Sequence, residues 1–141
     1  MIYNARMNDS LTLPDIRTVA LTGRIQADTS VEPLLQIIQT VLGLGKAVII
    51  EEKTAQHFKL TQFASVALHD IGNCADVMIA VGGDGTMLGV ARRVAPYHIP
   101  LIGINQGHLG FITDISLADA PSALREILLE QQYDSEERDL L

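Results

Sequence analysis

One stretch of this chain, residues 76–88, constrains the fold more than any other. Residues 77–81 are apolar and mostly β-branched, as in a strand that is covered on both faces of a parallel sheet. The run then breaks at residues 82–86, which read Gly-Gly-Asp-Gly-Thr, and a helical pattern follows from Met87. The stretch therefore predicts a strand, a tight turn and a helix.

The turn has the composition of an anion-binding loop. Gly82, Gly83 and Gly85 allow the backbone to approach a ligand closely and to adopt conformations that a Cβ atom would forbid. A turn that opens onto a helix also presents free N–H groups to a phosphate. The carboxylate of Asp84 repels a phosphate, so it predicts another task, as a base or as a group that binds a hydroxyl. The alternative is a plain turn in which Asp84 bonds its own backbone.

Composition limits the class of protein and its partners. A chain of 141 residues that is 48% hydrophobic and 19% charged is expected to form one globular domain with a sizeable core. The net charge of −7 argues against a nucleic acid partner, because phosphate neutralisation needs clustered Lys and Arg. No apolar stretch is long enough to cross a bilayer, so no membrane partner is expected.

The remaining compositional signals favour the cytoplasm. Residues 1–12 are polar and lack the basic region and apolar core of a signal peptide. Cys74 is the single cysteine, so it cannot form an internal disulfide, and we expect it to be a small buried residue. The histidines show no spacing typical of a metal site, and no metal ligands are predicted; they are His57, His69, His98 and His108.

Hydrophobic periodicity predicts alternating strands and helices. Strands are expected over residues 18–22, 46–50, 77–81 and 99–104. Helices are expected over residues 31–42, with Ser30 as the cap, over residues 87–95, and from Asp119 onward. Residues 54–73 are harder to interpret and suggest one or two short helices. This order is typical of a doubly wound, mostly parallel α/β sheet, preceded by a flexible leader over residues 1–16.

A second glycine-rich loop, residues 105–110, follows the strand predicted over residues 99–104. Ligands of doubly wound sheets bind beyond the carboxyl ends of the strands. If the two strands are neighbours, both glycine loops line one crevice that can hold phosphates or a sugar.

Two common nucleotide motifs do not fit. No glycine-lysine pair is followed by Ser or Thr, which excludes a Walker A loop. The dinucleotide fingerprint fits poorly, because one residue too many separates the second and third glycines of residues 83–89. Phosphate is then expected to be held by backbone amides and a metal, with Asp84 acting on a hydroxyl.

Two motifs together resemble one enzyme family. Residues 82–86 resemble the Gly-Gly-Asp-Gly-Thr motif of NAD kinases, which has relatives in diacylglycerol and sphingosine kinases and in phosphofructokinases. Residues 103–113, Gly-Ile-Asn-Gln-Gly-His-Leu-Gly-Phe-Ile-Thr, closely resemble the second NAD kinase motif, where lipid kinases carry a different loop. The resemblance runs from about Arg17 to the end of the chain. It implies the Rossmann-like N-terminal domain of a NAD kinase, over residues 17–132.

The resemblance also implies a reaction and its residues. NAD would be phosphorylated on the 2′-hydroxyl of its adenosine ribose, with ATP or polyphosphate as donor and Mg²⁺ or another divalent cation, to give NADP. Asp84 would accept the hydroxyl proton. Gly85, Leu88 and Phe111 would contact the dinucleotide, and Asn105 would shape the crevice. Thr86 and the amides of the turn, including those of Gly82 and Gly83, would face phosphates.

The family also carries an Asn-Glu or Asn-Asp pair in a second, β-rich domain, and no such pair occurs after Phe111. Residues 133–141 resemble the crossing into that domain, so we expect an incomplete N-terminal fragment that is inactive by itself. Its uncovered apolar face is expected to favour a homo-oligomer. The alternatives are a diacylglycerol or other lipid-type kinase domain, and a non-catalytic nucleotide-binding module in which Asp84 only fixes the turn.

Overall fold

The computed structural model describes residues 2–4, 15–107, 113, 115–130 and 135–137. The strands in chain order are β1 Ile2–Asn4, β2 Thr18–Gly23, β3 Ala47–Glu51, β4 Ala64–Val66, β5 Val77–Gly82, β6 Leu101–Asn105, β7 Ile115–Ser116 and β8 Ser135–Glu137. The helices are α1 Glu32–Gly43, α2 Glu52–Phe58, α3 Ile71–Cys74, α4 Asp84–Val94 and α5 Ala120–Arg125. Helix α5 continues as a π-helical segment over Glu126–Glu130.

The strands form one mostly parallel sheet in the order β4-β3-β2-β5-β6-β1-β8, and β7 pairs with the end of β6. The pairs that β2 makes with β3 and β5, and β5 with β6, are parallel, whereas β1 runs antiparallel to β6. This topology confirms the predicted doubly wound α/β fold. It also places β5 and β6 side by side, as the two glycine loops require to share one crevice.

Strand β5 lies at the centre of the fold, and all six of its residues are buried. Alternate side chains enter two separate cores, because successive residues of a strand point to opposite faces. Val77, Ile79 and Val81 pack in the core that contains residues of α1 and α5. Met78 and Ala80 pack in the core that contains residues of α3 and α4. Burial on both faces explains why the strand reads as a continuous apolar run.

Helix α1 lies where the hydrophobic periodicity predicts a helix. Leu34, Ile37, Ile38 and Val41 are buried, whereas Leu42 is 46% exposed. The N-cap position is Val31 rather than Ser30. The Ser30 hydroxyl still accepts a hydrogen bond from the amide of Glu32, at 3.1 Å.

The part of the chain that was hardest to interpret contains α2, β4, a 3₁₀ turn at Leu68–Asp70 and α3. These elements are short and bury few apolar side chains, so they leave little periodicity in the sequence. Cys74, at the end of α3, is exposed, which contradicts its predicted burial. None of the helices in the described part of the chain is long and apolar enough to cross a membrane.

Both ends of the chain contribute strands to the sheet. Tyr3 of β1 pairs with Leu101 of β6, and β1 pairs in parallel with β8. The first 16 residues were expected to be a flexible leader, yet residues 2–4 extend the sheet beyond β6. The domain limits at residues 16 and 132 stay a prediction.

Candidate functional site

The glycine turn joins the carboxyl end of β5 to the first residue of α4. Gly83 is the N-cap of the helix, with an extended backbone of φ −120° and ψ −170°. Its carbonyl accepts a hydrogen bond from the amide of Met87, at 3.0 Å. The helix begins at Asp84, earlier than the predicted Met87, so the carboxylate lies in the first helical turn, where the helix dipole favours a negative charge.

The glycines of the turn serve packing and access rather than an unusual backbone. Among the described glycines, positive φ occurs at Gly45, which lies outside this turn. The turn glycines therefore do not adopt the backbone conformations that a Cβ atom would forbid. A Cβ atom on Gly82 would lie 2.7 Å from Oγ1 and 2.8 Å from Cβ of Thr86, which packs over it. A Cβ on Gly83 or Gly85 would meet nothing within 4 Å. These two positions therefore leave open space in front of the turn.

Asp84 is held by Thr113, which follows the second glycine-rich loop in the chain. Its Oδ1 atom accepts hydrogen bonds from the backbone amide of Thr113, at 3.0 Å, and from the Thr113 hydroxyl, at 2.9 Å. Thr113 is fully buried, whereas Asp84 is half-buried. Two bonds to one oxygen fix the orientation of the carboxylate beside the open turn.

Asn105 connects the two loops. It pairs with Gly82 in the sheet, and its Nδ2 donates to the Thr113 hydroxyl at 2.8 Å. Its Oδ1 accepts from the amide of Gly107 at 2.7 Å, and the amide of Gln106 donates to the Gly82 carbonyl at 3.0 Å. Asn105 is 4% exposed, and its contacts fix Thr113 and Gly107 against the end of β6.

The structure brings most of the predicted site residues together. Asp84 and Asn105 both bond Thr113, Asn105 pairs with Gly82 of the turn, and Thr86 packs over Gly82. Leu88 is half-buried against the core behind α4. Phe111 and His108 lie outside the described residues. Sequence reasoning missed Thr113 as a site residue, because its partner Asp84 is 29 residues away along the chain and no local pattern marks the pair.

A cleft of about 530 Å³ lies between α4 and the loop that follows β2. Gly83, Gly85 and Thr86 form part of one wall, and Arg24 and Arg93 contribute cationic groups. The remaining lining residues are Thr22, Gly23, Ile25, Gln26, Glu51, Leu68, Gly89 and Val90. Open glycines, the start of a helix and two arginines are suited to a phosphate group.

The described residues contain no group of three or more His, Cys, Asp or Glu side chains that could hold a metal ion. A cage built from protein ligands is therefore absent from the described part of the chain. Mg²⁺ is commonly bound through one or two carboxylates together with substrate phosphates. Asp84 is the one carboxylate of residues 82–86 and would be the protein ligand of an ion held in that way.

Known proteins that are similar to this chain in sequence and in fold are kinases of NAD or NADH. The family described as ATP-NAD kinase N-terminal domain matches residues 19–133. The NAD kinase of Burkholderia cenocepacia (strain HI2424) is 45% identical over 125 residues, which are 89% of this chain and 41% of that relative. The NAD kinase of Burkholderia lata is 46% identical over 124 residues, which are 88% of this chain and 41% of that relative.

A crystal structure of yeast NADH kinase complexed with NADH shares the fold. Its TM-score is 0.67 at 18% sequence identity, and the match covers 82% of this chain and 38% of that chain. The chain thus spans about two fifths of the length of the relatives that it matches. Because the family match covers most of the sequence, the chain belongs to the NAD kinase family, as its N-terminal domain.

Proposed function

We propose that the protein carrying this chain is a NAD kinase that transfers a phosphoryl group from ATP to the 2′-hydroxyl of the adenosine ribose of NAD, giving NADP and ADP. The observation that carries the proposal is the carboxylate of Asp84, fixed by Thr113 at the mouth of an open glycine turn. The family match and the NAD kinases of Burkholderia support the same reaction.

Asp84 is the proposed proton acceptor. As the ribose oxygen forms its bond to the γ-phosphorus of the donor, the bond from that phosphorus to ADP breaks and the hydroxyl proton moves to the carboxylate. A carboxylate is a weak base for a resting hydroxyl, and it becomes effective when it is held against that hydroxyl as charge develops. The two bonds from Thr113 supply this fixed position without covalent work by the protein.

The donor phosphates are proposed to lie against the cleft side of the turn. The amides of Gly83, Gly85 and Thr86 and the guanidinium groups of Arg24 and Arg93 offer hydrogen-bond donors there. A bound Mg²⁺ ion would neutralise charge on these phosphates. The donor would be ATP or polyphosphate.

The other predicted residues keep their proposed roles. Gly82 allows Thr86 to pack against the strand, Asn105 shapes the crevice, and Leu88 and Phe111 contact the dinucleotide. A cytoplasmic location and a homo-oligomer belong to the same proposal.

The test is product formation by the complete protein, since the relatives extend well beyond the matched segment. The protein is incubated with NAD and Mg-ATP, or with Mg-polyphosphate, and ³¹P NMR identifies the phosphorylated position. We expect a 2′-phosphate on the adenosine ribose, and no phosphorylation of diacylglycerol vesicles. Nucleotide binding without any NADP formation would favour a binding module, and phosphorylated lipid would favour a lipid kinase.

A further inference from the structure

A second carboxylate, Glu51, lines the cleft opposite the glycine turn. It ends β3 and is the N-cap of α2, and it is 5% exposed. Its Oε2 accepts from the amide of Lys53 at 2.7 Å, and its Oε1 accepts from the amide of Thr54 at 3.1 Å. The strand predicted over residues 46–50 ends just before Glu51, so no pattern in the sequence predicts this burial.

Hydroxyl groups extend the contacts of Glu51 toward the cleft. The Thr54 hydroxyl donates to Glu51 Oε1 at 3.0 Å and lies 3.1 Å from the Thr22 hydroxyl. It also accepts from the amide of Gly23 at 3.3 Å. A hydroxyl has one proton to give. When Thr54 donates to Glu51, the Thr54 oxygen can only accept, from the amide of Gly23 and from the Thr22 hydroxyl. The Thr22 hydroxyl also lies 3.5 Å from Glu51 Oε1, so both hydroxyls are close to the same carboxylate oxygen.

The network ends at the loop that forms the far wall of the cleft, residues 23–26. Gly23 is the last residue of β2, and Arg24 follows it with its amide bonded to the carbonyl of Val81 at 3.1 Å. The Arg24 guanidinium donates to the Gln26 side chain at 2.6 Å. Helix α2 therefore holds the start of this loop through Thr54, and β5 holds the next residue.

We propose that Glu51, acting through Thr54, is a positioning residue that holds the wall of residues 23–26, and with it Arg24, at the place where the donor phosphates bind. The inference rests on the proposed function for its ligand. Glu51 touches neither the reacting hydroxyl nor Asp84 in this arrangement; it acts through the hydroxyl of Thr54 and the amide of Gly23.

A helix cap alone would need only the two amides of α2. The hydroxyls of Thr22 and Thr54 and the amide of Gly23 go beyond such a cap, because they join α2 to the neighbouring strand at the edge of the cleft. If Glu51 only caps α2, loss of its network should lower the stability of the protein and leave all kinetic constants unchanged. If it positions the cleft wall, the loss should raise the KM for the phosphate donor and leave the KM for NAD and kcat unchanged.

The experiment compares Thr54→Val with Thr54→Ser in the complete protein, using initial rates against Mg-ATP and against NAD. Valine keeps the shape and the backbone amide but removes the hydroxyl, whereas serine keeps it. We expect Thr54→Val to raise the KM for ATP about tenfold, the size of the one net hydrogen bond to Gly23 that holds the wall, with kcat and the KM for NAD within about twofold. Thr54→Ser should restore the KM for ATP.

Two further variants complete the design. Thr40→Val is the control for replacing a threonine by valine. The Thr40 hydroxyl donates to the Gln36 carbonyl on α1, away from the cleft, so the kinetic constants of this variant should equal those of the wild type. Thr22→Val removes the other hydroxyl and leaves the cap of α2 intact, so it keeps the test open if Thr54→Val fails to fold. We expect it to raise the KM for ATP about threefold, because Thr54 then still bonds Glu51 and Gly23.

An unchanged KM for ATP in folded Thr54→Val, or an equal rise in both KM values, would overturn the inference. If the wild-type protein forms no NADP, the proposed function fails. The positioning role of Glu51 is then tested by amide hydrogen exchange of residues 22–27 and by calorimetry of Mg-ATP binding. Faster exchange and weaker binding in Thr54→Val, but not in Thr54→Ser, would support the positioning role. Unchanged exchange and binding in both variants would reject it.

Discussion

Two carboxylates of this chain, Asp84 and Glu51, make the same pair of hydrogen bonds and yet have different surroundings. One oxygen of each accepts both the backbone amide and the hydroxyl of a single threonine, Thr113 for Asp84 and Thr54 for Glu51. Asp84 is half-buried at an open turn, whereas Glu51 is 5% exposed beneath the cleft wall. Burial, rather than the bonding pattern, separates the carboxylate suited to meet a substrate from the one suited to hold structure.

The two pairs also differ in how the chain assembles them. Thr54 follows Glu51 by three residues, so the pair forms with the first turn of α2. Thr113 and Asp84 are 29 residues apart, so that pair exists only when β5 and β6 have paired. The proposed catalytic pair therefore depends on the tertiary fold, and the capping pair is largely local.

The largest effect is expected from Asp84→Asn. The amide oxygen of asparagine can still accept the bonds from Thr113, so the turn should keep its shape while the proton acceptor is lost. We expect turnover in the complete protein to fall about a hundredfold or more, in the range of general-base catalysis. Steady-state NADP formation measures it. Near-normal turnover would show that Asp84 is not the proton acceptor, so it would no longer differ from Glu51 in its role.

The packing of the turn gives the next effect. A methyl group at Gly82 would lie within 2.8 Å of Thr86, whereas one at Gly83 would meet nothing within 4 Å. We expect Gly82→Ala to lower the free energy of unfolding by about 1–3 kcal/mol, as other overpacked sites do. Gly83→Ala should change it by less than about 0.5 kcal/mol. Urea titrations compare them, and equal losses would show that the turn is not held by this contact.

A smaller effect is expected when the long-range pair is weakened. Thr113→Val removes the hydroxyl bond to Asp84 but keeps the backbone amide, and Thr113→Ser keeps both. We expect kcat to fall about tenfold in the valine variant, since the hydroxyl's bond to Asp84 and its bond from Asn105 are both lost, and to recover in the serine variant. If kcat were the same in all three proteins, the orientation of Asp84 would not depend on Thr113.

The sequence contains enough information for the main architecture and for the position of Asp84. The apolar run of β5 and the glycine break after it are local signals, and they predicted the strand, the turn and the following helix. Asp84 could be selected because a carboxylate is out of place in a phosphate loop. The pairing of β5 with β6 was only a condition for a shared crevice, and the sheet topology supplies it.

The missed features depend on contacts that no local pattern encodes. Thr113 becomes part of the site through a partner far along the chain. Charged residues are seldom buried unless paired, and Glu51 is buried because two hydroxyls and two amides bond its carboxylate, one of these hydroxyls from another strand. Cys74 ends a helix of four residues, too short for periodicity to show which side faces the core.

The most direct test of this account measures Asp84→Asn and Glu51→Gln side by side in the complete protein, by urea titration and by kcat. In Glu51→Gln an amide nitrogen must face a buried N–H or O–H donor, so we expect the free energy of unfolding to fall by about 1–3 kcal/mol while kcat stays within about threefold. Asp84→Asn should show the reverse, with stability within about 0.5 kcal/mol of wild type and kcat reduced about a hundredfold or more. Two results would contradict this account: a lower kcat with unchanged stability in Glu51→Gln, or a lower stability with unchanged kcat in Asp84→Asn. Either one would show that the Asp84–Thr113 pair does not carry the catalytic role while the Glu51–Thr54 pair holds the structure.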